Sequence, residues 1–399
     1  MRIRSWLGGV VIASLALIAS AGQALGQAAA PARLPKYRVD VVEYTSAGFY
    51  GYDLNDRGQV ALTSVAPGTP PAYGARRWDP RDGFVDLAPA PPRSLATGIN
   101  NRGDVTVVRM GDDARSRSSL WTERDGPTDL GTIGRQTWAD DVNDHGVVVG
   151  WTERDTDARE RYAFQWTRDG GLQTLPNLPG GSRQGGNAFD VTNKGLVVGY
   201  SYGPSGQEAV RWVDGKAQGL GDLPGGWFES AAMAANERGQ VVGVGHLAGD
   251  GSDLDNDGQP DSIAHAFLWT EQKGMVDLGA LHADDNSVAY DVTDDGMVVG
   301  YSVHGPGGTS LAYTPFVWTE ETGMVDVHTL LDANSKAWKL GAFQMGRVNE
   351  SGQLLLQGAL EGQYAVVVLT PVHNPEPGSM LLTLGAFALL GLRRRGRTR

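Results

Sequence analysis

The sequence predicts an all-β protein: a seven-bladed β-propeller of four-stranded blades, closed by pairing of its N- and C-terminal strands. Three observations predict it. A glycine-punctuated motif recurs seven times, a tryptophan strand alternates with it, and the two ends of the repeat region complete one another. Repeats with a period of several tens of residues point to propellers or solenoids.

The first element is clearest in DVTNKGLVVGYS, ending at Ser201, and DVTDDGMVVGYS, ending at Ser302. Each copy has an Asn or Thr, two polar residues, Gly, then a β-branched run. The seven glycines are Gly58, Gly103, Gly146, Gly195, Gly239, Gly296 and Gly352, spaced 43–57 residues apart. Asn-x-x-Gly between strand-like runs is a hairpin signal, because Asn bonds its own backbone and Gly accepts a positive φ. The short valine-rich run that follows reads as a strand buried on both faces.

The second element is a strand ending in Trp78, Trp121, Trp166, Trp212, Trp269 or Trp318, often continued by a short strand such as MVDLG. One unit therefore supplies about four strands, which bury their faces only against neighbours. The N-terminal YRVDVVEY, GFYGYDLN and QVALTS match the strands that follow a Trp strand in other units. QYAVVVLTP, after the seventh turn, matches the missing Trp strand. The expectation is that 363–371 pairs with the strand near 38–44, removing open edges. Six in-register tryptophans inside apolar strands are read as core.

Composition agrees. The chain has 399 residues, 56 of them Gly and 11 Trp, and no Cys, which excludes disulfides, thiolate metal sites and a cysteine nucleophile. Both ends read as targeting segments. Residues 1–26 have Arg2 and Arg4, an apolar stretch and a small-residue site at Ala24-Leu25-Gly26, so they are read as a signal peptide; 27–36 is a linker and 37–371 the propeller. Without the seven arginines of the two ends, 27 basic residues face 46 acidic ones. That balance argues against nucleic acid as a partner.

Residues 372–399 hold Pro375-Glu376-Pro377, an apolar run from Met380 to Leu392, and an arginine cluster. This tail resembles the PEP-CTERM sorting signal of Gram-negative bacteria. The resemblance implies a transient inner-membrane anchor, processing by an exosortase, and a destination at the cell surface or outside it. HAFLWTEQKGMVDLGAL with AYDVTDDGMVVGYS resembles the HAF repeat of bacterial extracellular proteins, named for a trio standing here at His265, Ala266 and Phe267. That likeness is strongest over 138–330 and implies location and architecture, not chemistry.

One insertion breaks the period. From repeat glycine to next Trp the distance is 17–22 residues, but 30 between Gly239 and Trp269. The insertion contains GDGSDLDNDGQPDS. Asp253, Asp255 and Asp257 alternate, Gly258 follows, Gln259 offers its carbonyl, and Asp261 completes the spacing of a calcium loop. Position twelve is Ala264 rather than Glu, so Asp250 or water must serve there and affinity should be modest. The loop resembles those of dockerin and thrombospondin type 3 repeats. The expected cofactor is Ca2+; the competing reading is a solvated acidic loop.

No other motif points to catalysis. There is no His-x-x-x-His pair and no Gly-x-Ser-x-Gly elbow. Asp141, Asp190 and Asp291 recur in register, which favours a structural role over a catalytic one. No catalytic residue is therefore assigned. The expectation is a non-catalytic structural or binding module of the extracellular matrix, partnered by polysaccharide or matrix protein after export. The alternatives are a polysaccharide lyase or hydrolase, or a lectin, working at the axial face.

The calcium reading has a direct test. Calcium at about 0.1–1 mM should protect the chain from proteolysis between Ala248 and Ala264 with little change in global melting. The double substitution Asp253→Asn and Asp257→Asn should abolish the protection. Calorimetric silence with no protection at several millimolar calcium would leave an ordinary acidic loop.

Overall fold

The computed structural model describes residues 34–372, apart from 46–49, 67–71, 89–92, 112, 114, 155–159, 182–184, 226–228, 248–262, 284, 305–311 and 341–345. Within them the chain forms seven antiparallel sheets in a ring, a seven-bladed β-propeller. Blades 1 to 6 span 50–86, 94–129, 136–174, 186–221, 231–277 and 286–326, each with four strands in chain order from axis to rim. Blade 7 combines Leu354–Leu360 and Gln363–Val372 with Lys36–Thr45 as its outer strand. Its inner strand comes in two pieces, Lys339–Leu340 and Arg347–Val348, both paired with Leu354–Leu360.

The closure expected from the sequence is present. Tyr37 pairs with Pro371 and Tyr44 with Ala365, so the last strand of the ring carries the first strand of the chain. The chain turns back to clamp this strand. Asp332 N donates to Tyr37 O at 2.8 Å, and Val39 N to Ser335 Oγ at 3.0 Å.

Each Asn-x-x-Gly segment is the turn between the first and second strands of its blade. In blade 1, Asn55 Oδ1 accepts Arg57 N and Gln59 N at 3.1 and 3.0 Å, and Gly58 N donates to Asn55 O. All seven repeat glycines have φ between 72° and 92°, a region that carries a steric cost for any residue with a Cβ. The glycine that follows the valines answers a different need. A Cβ on Gly150, Gly199, Gly243 or Gly300 would lie 1.9–2.0 Å from a first-strand carbonyl oxygen. The close approach lies beside a β-bulge. In blades 1 to 6 the first strand carries one extra residue: Tyr52, Thr97, Asp140, Phe189, Met233 or Tyr290.

The apolar core lies between blades. One cluster joins Ala61 and Ala75 of blade 1 to Ala96, Ile99 and Val105 of blade 2. Another joins Val149 and Ala163 of blade 3 to Ala188, Val197 and Trp212 of blade 4. Val42, Val366 and Val368 of blade 7 pack on Leu54, Val60 and Leu62 of blade 1. Burying each such side chain is worth about 1.5–3 kcal/mol. Of the six repeat tryptophans, Trp166, Trp212 and Trp269 are buried in the core as expected, while Trp78, Trp121 and Trp318 are partly buried and pack against it. Of the His-Ala-Phe trio, Ala266 and Phe267 are wholly buried, while His265 Nδ1 bonds the Asp277 carboxylate at 2.9 Å.

Neighbouring turns are stitched together by the repeat residue itself. Nδ2 of Asn55, Asn100, Asn143, Asn236 and Asn349 each donates to the carbonyl of the equivalent residue one blade on, at 2.8–3.0 Å. Blades 4 and 6 have Thr192 and Thr293 at this position. Their hydroxyls bond only within their own turns, to Leu196 N and Met297 N at 3.2 and 3.0 Å and, for Thr293, to the local Asp295 and Met297 O, and threonine has no amide to reach forward. Thr192→Asn and Thr293→Asn should each raise stability by about 1 kcal/mol, and Asn100→Ala should lower it by at least that much, in reversible denaturant unfolding. Equal stability of the parent and both asparagine variants would show that the stitches are incidental.

The axial ring as candidate functional site

Where the turns converge on the axis they enclose a cavity of about 310 Å³. Two layers of side chains build it. The outer layer is the residue after each repeat Asn or Thr: Asp56, Asn101, Asp144, Asn193, Glu237, Asp294 and Glu350. Each backbone N–H here donates to the side chain of the next member, at 2.5–3.0 Å, and Glu350 N returns to Asp56. The circle of seven is complete. Five members are carboxylates. Asn101 and Asn193 amides lie between Asp56 and Asp144 and beyond Asp144, bonding those acids. Lys194 Nζ bonds the Glu237 carbonyl. Glu350 has a raised pKa, from burial first and then from Asp294 and Asp56.

The inner layer is the residue two before the repeat Asn or Thr. Reading round the ring, it is Asp53, Gly98, Asp141, Asp190, Ala234, Asp291 and Arg347. Each aspartate reaches forward one blade to a backbone amide: Asp53 to Ile99 N, Asp141 to Val191 N, Asp190 to Ala235 N and Asp291 to Val348 N, at 2.7–3.1 Å. Blade 2 has no room for a side chain. A Cβ on Gly98 would lie 2.8 Å from Asp141 Cα and 3.0 Å from its Oδ1. Thr97 Oγ1 makes the forward bond instead, to Ala139 O at 2.8 Å.

Blade 7 inverts the charge. Arg347 Nη1 donates back to Tyr290 O of blade 6 at 3.1 Å and Nε forward to Tyr52 O of blade 1 at 3.4 Å, with Asp53 Oδ1 at 3.7 Å. Its side chain is 14% exposed and that of Asp53 16%. Burial opposes the guanidinium charge, but Asp53, Asp291, Asp190 and Asp141 more than offset it. Burial raises Asp53 and Asp291, while Arg347 pulls both back. Asp141 is raised to about 6, by burial and then Asp53. Asp190 is raised well above the usual carboxylate range, by burial and then Asp141, with which it shares a side-chain hydrogen bond. The pair is thus a carboxyl donating to a carboxylate. This ring can hold charge and protons, but its aspartate oxygens are already committed to amides of the next blade.

The structure therefore brings together Asp141, Asp190 and Asp291, in the structural role their recurrence suggested. Asp53 and Arg347 belong with them and were not singled out from sequence. Their signal lies in the repeat alignment, in the column two before the Asn or Thr. The calcium-loop residues Asp253, Asp255, Asp257, Gln259 and Asp261 lie outside the described residues, as does Pro375-Glu376-Pro377. Among the described residues, no three His, Asp or Glu are grouped as a metal site requires, and no helix is long and apolar enough to cross a membrane.

Compared with protein-family models and with curated proteins, the sequence matches none. Solved structures give likenesses of shape. The β-propeller domain of the Trilobed protease from Pyrococcus furiosus aligns with a TM-score of 0.47 at 10% identity, over 81% of this chain and 95% of that one. TolB from Acinetobacter baumannii aligns at 0.43 and 11% identity, over 67% of this chain and 62% of TolB. AofleA from Arthrobotrys oligospora aligns at 0.35 and 12% identity, over 72% and 87%. The strand order described above, rather than these likenesses, carries the fold.

Arg347 is the cation among four inward aspartates, so Arg347→Met should leave their charges facing one another uncompensated. The expected loss is about 3–5 kcal/mol, the usual consequence of removing one partner from a buried ion network. The loss should shrink in acid, where the aspartates protonate. A variant as stable as the parent at neutral pH would show that the ring does not need its cation.

Proposed function

We propose that this chain is an exported, surface-sorted, non-catalytic repeat protein, a structural or binding module of the extracellular matrix. The observation that carries the non-catalytic reading is the commitment of the axial carboxylates. Asp53, Asp141, Asp190 and Asp291 each spend an oxygen on the next blade's amide. A general acid or base must have its oxygen within reach of substrate. Here that oxygen holds the ring together, which counts against a lyase or hydrolase at the axis. Export and sorting rest on residues 1–26 and on the tail with Pro375, Glu376 and Pro377, with an exosortase as the processing partner.

The lectin reading has one specific observation behind it. Blades 1 and 2 meet over Arg77, which lies 5.1 Å from the Trp121 ring, donates to Gly103 O and pairs with Glu123. Blades 4 and 5 meet in the same way over Arg211, 4.6 Å from the Trp269 ring and paired with Glu271. Between blades 2 and 3 the residue at the place of these arginines is Leu120, as Leu268 is in blade 5, and Arg168 stands where Glu123 and Glu271 stand in blades 2 and 5. A cleft of about 420 Å³ lies here, lined by Arg102, Arg124, His145, Trp166 and Arg168 together with Asp104, Asp125 and Asp169, Arg102 being paired with Asp104 at 3.0 Å. Arg124 and Arg168 reach Asp125 only at 3.7 Å, leaving guanidinium donors for an incoming carboxylate. A uronic-acid unit of an acidic polysaccharide suits that chemistry.

Two experiments test these readings. Deleting 375–399 in the exporting host should release a folded protein that is no longer retained at the surface; retention unchanged would defeat the sorting proposal. The full chain should bind a polyuronate more tightly than a neutral glucan, without releasing reducing ends, and Arg168→Glu should weaken that binding about tenfold, or roughly 1.4 kcal/mol. Reducing ends released in proportion to enzyme added would establish a hydrolase or lyase instead. Binding unchanged by Arg168→Glu would move the site away from the cleft while leaving the matrix-module reading standing.

A further inference from the structure

The first-strand bulge carries an uncharged residue in five of the six blades that have it: Tyr52, Thr97, Phe189, Met233 and Tyr290. In blade 3 it carries Asp140. A bulge re-aims side chains out of strict alternation. Asp140 and Asp141 both interact with side chains of blade 4, Asp140 with Asn187 and Asp141 with Asp190. Asn187 is 6% exposed.

Two oxygens in this contact have no partner. Asp140 Oδ2 and Asn187 Oδ1 are both fully buried and both accept no hydrogen bond. Two orphaned acceptors on side chains that already meet are costly, since an unsatisfied buried polar group costs about 1–3 kcal/mol. A single proton removes both deficits. A carboxyl O–H donates, whereas a carboxylate only accepts.

We propose that Asp140 is held as the neutral acid and donates its proton from Oδ2 to Asn187 Oδ1, forming a proton-operated latch between blades 3 and 4. The surroundings agree. The groups facing Asp140 are Asp141 on its own strand, Asn187 on blade 4, Arg161 on the third strand of blade 3 and Arg347 from blade 7. Burial, and after it the Asp141 charge, raise the Asp140 pKa to about 8, against the opposing pull of a hydrogen bond from the Asn187 side chain and of Arg347 and Arg161. Beside it the Asp190 carboxyl is also raised well above the usual carboxylate range, by burial and then by Asp141, with which it shares a side-chain hydrogen bond.

The sign follows from linkage. The folded pKa lies above that of the unfolded chain, so the folded state holds a proton that unfolding releases. Stability falls as pH rises from about 4 towards about 8 and levels off beyond. The latch is closed in acid and at neutrality, and opens in alkali, where a carboxylate would face the Asn187 oxygen.

Infrared titration and thermal unfolding of the full chain test this together, with Asp140→Asn as the main variant. Asparagine keeps the shape of the neutral acid and can make the same two bonds to Asn187. The parent should show a protonated-carboxyl band with a component that disappears as pH passes about 8, and the variant should lack that component while keeping the share of Asp190. The variant should release about one proton fewer on unfolding across that range, and should melt above the parent in alkali. Asn187→Ala should melt below the parent at neutral pH and shift the frequency of the Asp140 carboxyl band, because the acid O–H has lost its acceptor. Three results would overturn the latch. One is an unchanged band and pH slope in Asp140→Asn. Another is a variant less stable than the parent at every pH, meaning that the carboxylate charge itself is used. The third is calcium raising the melting point of the parent but not of Asp140→Asn, meaning that the two oxygens hold a metal ion rather than a proton.

Discussion

Hydrogen bonds that run from each blade to the next around the axis are the constraint on which the rest of the molecule depends. The apolar seams supply most of the stabilising area, but burial is non-directional and does not fix how far one sheet slides along its neighbour. Direction comes from the axis. Side chains of Asp53, Asp141, Asp190 and Asp291 take amides of the following first strand, and five asparagine amides take carbonyls of the following turn. Both sets advance by one blade in the same sense. The outer circle adds seven more such bonds and closes on itself at Glu350 and Asp56. A slip of one blade by one residue would break two or three of these bonds at each of its two borders.

This arrangement has an electrostatic cost that the sequence distributes unevenly. A forward-reaching acceptor on every blade would place seven carboxylates around one axis. The inner layer keeps four and replaces the others with Gly98, Ala234 and Arg347. The arginine stands in blade 7, the blade assembled from both ends of the chain. There it bonds the carbonyls of Tyr290 and Tyr52, one in each flanking blade. The residue that neutralises the ring is thus also the one that joins the closing blade to its two neighbours. Remaining repulsion between Asp141 and Asp190 is relieved by a shared proton, as their raised pKa values indicate.

Much of this was legible in the sequence, because repetition exposes what a single copy hides. The seven glycines and six tryptophans gave the blade count, and the unmatched strand after Gly352 gave the closure. The inward aspartates were visible as a register, although Asp53 and Arg347 were overlooked because their copies depart most from the repeat. The bulge was not legible. A residue inserted against one strand leaves no periodic trace when Tyr52, Thr97, Phe189 and Met233 share no chemistry. The stitching was also hidden, since Asn in Asn-x-x-Gly is sufficiently explained by its own turn. Only the neighbouring carbonyl shows that its Nδ2 has a second task.

In a repeat protein, a residue present in every copy is doing what every copy needs, which is to fold. Individual function has to be sought where one copy differs and its environment does not excuse the difference. Gly98 is excused by the close approach of Asp141. Arg347 is excused by the charge around it. Arg168 is not excused in this way: it is the one cation in a column otherwise held by Pro80, Glu123, Asp214, Glu271 and Glu320, and it lines a cleft beside Leu120. Asp140 is not excused by folding either, because Phe189, Met233 and Tyr290 occupy the same bulge without leaving an orphaned oxygen. Arg168 and Asp140 lie on blade 3, one at each of its borders. Blade 3 also has the stacked pair Trp138 and Trp151, with Arg161 over the latter at 4.2 Å. Arg161 is one of the charges that faces Asp140. The departures from the repeat therefore converge on one blade and on neighbouring side chains within it. That is where a propeller whose axial side chains bind one blade to the next has residues left over for something else.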